Sequence, residues 1–112
     1  DKQSIARFGW ALLPMDDALI RVAVDVSGRP WLDYDVQAGE RVWGAFHADL
    51  APEFWRAFAT TAGLTLHLRS LSGRQPHHLL EAAWKAVGIA LRQAVALDPR
   101  RTGIPSTKGR ID

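Results

Sequence analysis

Hydrophobic and polar residues alternate strictly along the first third of the chain. Phe8, Trp10 and Leu12 interleave with Arg7, Gly9 and Ala11, a period of two that predicts a strand over 6–13, ended by Pro14. The pattern returns more strongly over 19–26, with Ile20, Val22, Val24 and Val26 on one side and Arg21, Ala23 and Asp25 on the other. Ser27-Gly28-Arg29-Pro30 then turns the chain into a third strand over 31–36. Residues 37–50 show no regular period. Pro52 stands where a first helical turn accepts it, and it opens a helix to Ala62 whose buried side is Phe54, Trp55, Phe58 and Ala59, capped by Gly63. Leu64, Leu66 and Leu68 alternate with Thr65, His67 and Arg69 in a fourth strand closed by Ser72-Gly73. The longest element follows, a helix over 77–97 stopped by Asp98-Pro99, with Leu80, Trp84, Val87 and Leu91 on the stripe expected to face the sheet. The order βββαβα predicts an α+β domain: a mixed four-stranded sheet with one polar edge and both helices packed on one face.

A length of 112 residues, 47% of them hydrophobic and 23% charged, suits a single domain over 1–112 with one core. No apolar run reaches the ~20 residues that span a bilayer, and the opening DKQSIARFGW lacks the regions of a signal peptide. A cytoplasmic location without membrane attachment is the expectation. The absence of cysteine removes disulfides and thiolate metal sites, so any metal must be held by His, Asp or Glu. Fourteen basic against twelve acidic residues leave a formal charge of +2, too near balance to predict nucleic-acid binding from composition. Acids gather in the first forty residues, whereas the irregular tail over 98–112 carries Arg100, Arg101, Lys108 and Arg110 and suits an anion. The single methionine is Met15, so residue 1 is expected not to be a translation start. Four tryptophans (Trp10, Trp31, Trp55 and Trp84) fall on or beside predicted elements and read as core.

The start of the last helix carries candidate chemistry. His77 and Glu81 are four residues apart and neighbours on the helix surface, so their donor atoms can close on one cation. His78 points about 100° away and suits a second ion, or one shared with another subunit. Imidazole with carboxylate fits manganese, iron or zinc; a solvated helix start is the plain alternative. His67 and His47 read as surface histidines. Arg7 and Arg29 near the first hairpin, with Ser106 and Lys108 in the tail IPSTKG, offer the forks, hydroxyl and point charge that a phosphate monoester takes.

In order along the chain, RFG (7–9), PMDDAL (14–19), DVSGRP (25–30), EFWRAFATTAG (53–63), TLHL (65–68), HHLLEAAWKA (77–86), LRQA (91–94), DPR and IPSTKG resemble the carboxy-terminal repeat of the imidazoleglycerol-phosphate dehydratase family. The likeness runs from about Ile5 to Gly109. It implies a βββαβα unit of the ribosomal protein S5 domain 2-like kind, present as two tandem copies in relatives, with two manganese ions at subunit boundaries. On these positions His77 and Glu81 would bind one manganese and His78 the other. Arg7, Arg29, Ser106 and Lys108 would hold the substrate phosphate, with Lys85 nearby. Glu53 stands where many relatives carry a metal-binding histidine, and a carboxylate is a competent manganese ligand. The first repeat's histidines and its acid–base glutamate have no counterpart here, so the catalytic acid and base are not assigned. The reading that follows is a half-subunit of a manganese-dependent hydro-lyase of histidine biosynthesis, acting on a phosphorylated imidazole and completed by self-association or by a first-repeat chain. A metal-binding assembly module without turnover is the alternative. A small basic RNA-binding domain is a third reading, to be marked by steeply salt-dependent RNA binding, but it leaves the HHxxE spacing unexplained.

Overall fold

The computed structural model describes residues 4–38, 42–43, 46–47 and 50–99. Strands β1 (Phe8–Met15) and β2 (Ala18–Asp25) form an antiparallel hairpin whose last pair, Met15 with Ala18, leaves Asp16-Asp17 as a two-residue loop. Asp16 takes a positive φ of 50°, a conformation that Asp and Asn accept more readily than bulkier residues. β3 (Trp31–Asp35) follows, then the short pair β4 (Val42–Trp43) and β5 (Phe46–His47), helix α1 (Ala51–Ala62), β6 (Thr65–Ser72) and helix α2 (Pro76–Val95). The main sheet has the order β1-β2-β6-β3, with β6 antiparallel to β2 and parallel to β3. A parallel pair requires a crossover, and α1 lies within it. Gly63 ends α1 in the left-handed region at φ 69°, and the Leu64 N–H reaches back to the Ala59 carbonyl at 2.9 Å, turning the chain straight into β6.

The α+β architecture is as expected: a mixed four-stranded sheet with both helices on one face. α2 crosses β1 and β2 while α1 packs against β3. Ile20, Val22, Val24, Leu66 and Leu68 from the sheet meet Leu79, Leu80, Ala82, Ala83, Ala86, Val87, Ala90 and Ala94 of α2 in one core with Trp55 and Ala59 of α1. No helix among the described residues is long and apolar enough to cross a membrane.

Several details differ from the sequence reading. β1 does not stop at Pro14; the proline lies inside it, and because β1 is an edge strand, a missing N–H is tolerated there. The faces of β1 are inverted: Gly9 and Ala11 are buried, whereas Phe8, Trp10 and Leu12 lie on the uncovered face. The cause is the closeness of α2, since a Cβ on Gly9 would stand 1.9 Å from the Ala90 carbonyl oxygen. Of the four tryptophans expected in the core, only Trp55, at 3% exposure, is buried. Trp10 and Trp31 are each 64% exposed and Trp84 is 46% exposed. Trp84 therefore does not face the sheet; it packs sideways on Phe54 and Trp55 of α1, at centroid distances of 4.5 and 4.7 Å. Leu80 and Val87 of the expected stripe are buried and Leu91 packs against the core, but Trp84 is not part of it, and the buried face of α2 is broadened by Leu79, Ala82, Ala83, Ala86, Ala90 and Ala94 into an alanine-rich surface. Residues 37–50 were expected to be irregular, yet they contain β4 and β5. α2 ends at Val95, before Asp98-Pro99: Ala96 is extended, its carbonyl accepts from the Ala6 N–H at 2.9 Å, and Leu97 pairs with Ile5.

Tyr34, the single tyrosine, projects from β3 toward the core, and burial pushes its phenol up to about 12. The unfolded phenol ionises near 10, so Tyr34 favours the fold fully below that pH and progressively less from about 10 to 12. A phenolate absorbance titration is expected to show a single transition near 12. A transition near 10 in the folded chain would contradict the burial.

Candidate functional site

The first turn of α2 is built by its neighbours. Pro76 occupies the first helical position, where a missing N–H costs nothing, and the Gln75 side chain caps the helix by accepting from the His77 N–H at 3.2 Å. The Asp17 carboxylate, from the β1–β2 loop, reaches the same point. Its Oδ2 accepts from the backbone N–H groups of Arg74 (2.7 Å) and Gln75 (3.1 Å). These bonds, first of all the one from Arg74, with a side-chain bond from His78, hold the Asp17 carboxyl far below the usual carboxylate range.

Two histidines leave this turn in different directions. His77 Nε2 lies 3.0 Å from Glu81 Oε1, and the other carboxylate oxygen meets Lys85 Nζ at 3.1 Å. The Lys85 hydrogen bond, joined by the charges of Lys85 and the two histidines, lowers the Glu81 pKa. His78 turns to the hairpin instead: Nδ1 is 2.6 Å from Asp17 Oδ1 and Nε2 is 3.5 Å from Asp16 Oδ2. The two rings are 5.9 Å apart between centroids.

The donor chemistry of His77 and Glu81 fits a divalent cation. Two ligands at right angles around an ion, with bonds of about 2.1 Å, stand roughly 3 Å apart, which is the separation seen. Among the described residues no three of His, Asp and Glu come together to hold an ion, so Glu53, exposed in the first turn of α1, is not brought to that pair. His67, exposed on β6, lies 3.4 Å from Asp33. The side chain of His47, together with Ser106 and Lys108, falls outside the described residues.

Arg7 and Arg29 sit elsewhere. Arg7 is 6% exposed, and its guanidinium grips Asp25 through Nε (2.6 Å) and one terminal nitrogen (3.2 Å), 5.0 Å from the Phe8 ring centroid. Its backbone has φ 78°, fixed by bonds from the Arg7 N–H to Ala94 (2.8 Å) and from the Val26 N–H to the Arg7 carbonyl (3.0 Å). The hydrogen bond to Asp25 raises the Arg7 pKa further. The exposed Arg29 stands in the turn after β2, where its N–H donates to Ser27 Oγ (3.0 Å) and its carbonyl accepts from Thr65 Oγ1 (3.1 Å). β2 runs from Ala18, beside Asp17 and His78, to Asp25, beside Arg7. At about 3.3 Å per residue the two groups are roughly 23 Å apart. The cationic end and the histidine end of one chain therefore cannot hold the same small molecule.

Asp16 and Asp17 were missed as site residues, although they stand inside PMDDAL. Their signal is a long-range contact, 61 residues apart for His78 and Asp17, which no local spacing reveals.

The family model for imidazoleglycerol-phosphate dehydratase matches residues 1–91. The chain is 56% identical over 109 residues to imidazoleglycerol-phosphate dehydratase of Desulforamulus reducens and 53% identical over 109 residues to that of Moorella thermoacetica, in each case covering 97% of this chain and 56% of the relative. Crystal structures of the enzymes from Staphylococcus aureus and Pyrococcus furiosus superpose with TM-scores of 0.83 at 39% and 41% identity. They cover 87% and 96% of this chain, and 56% and 59% of those chains. The chain thus spans about half the length of the relatives it matches. With this fold and this HHxxE helix start, it belongs to the imidazoleglycerol-phosphate dehydratase family.

Proposed function

We propose that the chain acts as the second half of an imidazoleglycerol-phosphate dehydratase subunit in the cytoplasm, contributing to the dehydration of imidazoleglycerol phosphate to imidazoleacetol phosphate in histidine biosynthesis. The carrying observation is the His77–Glu81 pair, 3.0 Å apart at the start of α2, on a family member whose Arg7 and Arg29 lie at the opposite end of the sheet. His77 and Glu81 hold one cation and His78 the other, with Glu53 as a further ligand from a separate place. Manganese is the metal that the family resemblance implies, although imidazole and carboxylate also accept iron or zinc. Bound there, it supplies a Lewis-acid anchor for the substrate imidazole.

Arg7, Arg29, Ser106 and Lys108 grip the phosphate, with Arg7 oriented by its contact with Asp25, and Lys85 adds positive charge beside Glu81. Binding energy at the remote phosphate orients the carbons that lose a proton and hydroxide. Because the two ends are too far apart to share a ligand, the site is completed by another copy or by a first-repeat chain, and the acid–base group, which has no counterpart in this sequence, comes from the first-repeat chain.

The test incubates the purified chain with manganese and imidazoleglycerol phosphate, with and without a chain carrying the first repeat. Product formation only in the mixture is expected. No turnover in either, with manganese still bound, would replace this proposal with a metal-binding assembly module.

A further inference from the structure

We infer that Asp17 is a positioning residue that selects the tautomer of His78, placing the ring hydrogen on Nδ1 and leaving the Nε2 lone pair free for a divalent cation. The inference rests on the reading of His78 as a metal ligand, and it goes beyond that reading by assigning the residue that prepares the ligand.

The argument is one of donors and acceptors. Asp17 Oδ2 is engaged by the Arg74 and Gln75 N–H groups. Its other oxygen, Oδ1, faces His78 Nδ1 at 2.6 Å. An ionised carboxylate only accepts hydrogen bonds, so Nδ1 must be the donor, and a neutral imidazole protonated there carries its lone pair on Nε2. Outer carboxylates fix metal-binding histidines in this way. The Asp16 carboxylate, 3.5 Å from Nε2 and largely exposed, adds an oxygen on the side where the cation would sit. The loop that closes the first hairpin thus contacts both nitrogens of one imidazole.

The geometry also specifies an informative variant. In Asp17→Asn the amide oxygen can keep the two backbone N–H bonds, which leaves the NH₂ group facing Nδ1. That nitrogen must then accept, and the hydrogen moves to Nε2, where it blocks the cation. The substitution retains the anchor between hairpin and helix while reversing the ring.

Long-range ¹H–¹⁵N NMR of histidine-labelled protein at alkaline pH, where imidazole is neutral, reads the tautomer directly; four histidines can be assigned by single substitutions. Wild type is expected to show His78 protonated on Nδ1 and Asp17→Asn on Nε2, with closely similar melting curves. Manganese affinity by titration is expected to fall roughly 10–100-fold in Asp17→Asn. A wild-type His78 protonated on Nε2, or a tautomer unchanged in the variant, overturns the inference; the wild-type measurement decides even if the variant folds poorly. A reversed tautomer with unchanged manganese affinity, or a wild type that takes up no manganese, overturns the metal reading of His78 and leaves the positioning of the ring by Asp17 supported.

Discussion

Gly9→Ala is expected to lower the melting temperature by about 10 °C or more, the largest stability loss for so small a change. A strand glycine exchanged for alanine ordinarily gains, because glycine loses more chain entropy on folding. Here the added methyl would stand 1.9 Å from the carbonyl oxygen and 2.8 Å from the carbonyl carbon of Ala90, with the Ala94 nitrogen at 3.0 Å. All three are backbone atoms of a helix, so no side-chain rotation can relieve the clash. Overpacking typically costs 1–3 kcal/mol and sometimes more, and each kcal/mol moves the midpoint of a domain of this size by roughly 4–8 °C. Thermal unfolding followed by circular dichroism is the measurement. An unchanged or raised midpoint would mean that α2 does not lie so close on β1.

The second large effect concerns ligand uptake rather than folding. His77→Ala combined with Glu81→Ala is expected to cut manganese affinity by more than the roughly 10–100-fold that outer-sphere partners cost, because it removes two direct donors. The fold should barely respond. Both side chains are about one-third exposed, and solvent-screened helical ion pairs such as His77–Glu81 and Glu81–Lys85 contribute little to stability. Isothermal titration with manganese, beside a melting curve, separates the two. Uptake unchanged from wild type would remove the metal from the proposed function.

The number, order and type of the main elements were legible because periods of 2 and 3.6 are local properties. Which side of a strand is buried was not. The alternation of Phe8-Trp10-Leu12 with Gly9 and Ala11 defines two faces, and the larger residues look like the inner one until the helix is laid against the small residues. Trp84 was misplaced for the same reason: an alanine-rich face offers a weaker pattern than a row of bulky side chains, yet it permits closer packing. The end of α2 depended on pairing with residues at the other end of the chain, and β4–β5 are too short to impose a period.

The candidate site divides along the same line. His77 and Glu81 announce themselves at i and i+4, whereas Asp17 becomes visible only when the hairpin is folded against the helix start. The separation of Arg7 from His78 needed the strand register.

Because Ile5 pairs with Leu97, the described segment enters and leaves at neighbouring points on one border of the sheet. Such a unit behaves as a cassette. A short connector joining Ile5 to Leu97, with the chain opened at an exposed loop elsewhere, would require no rebuilding of the core.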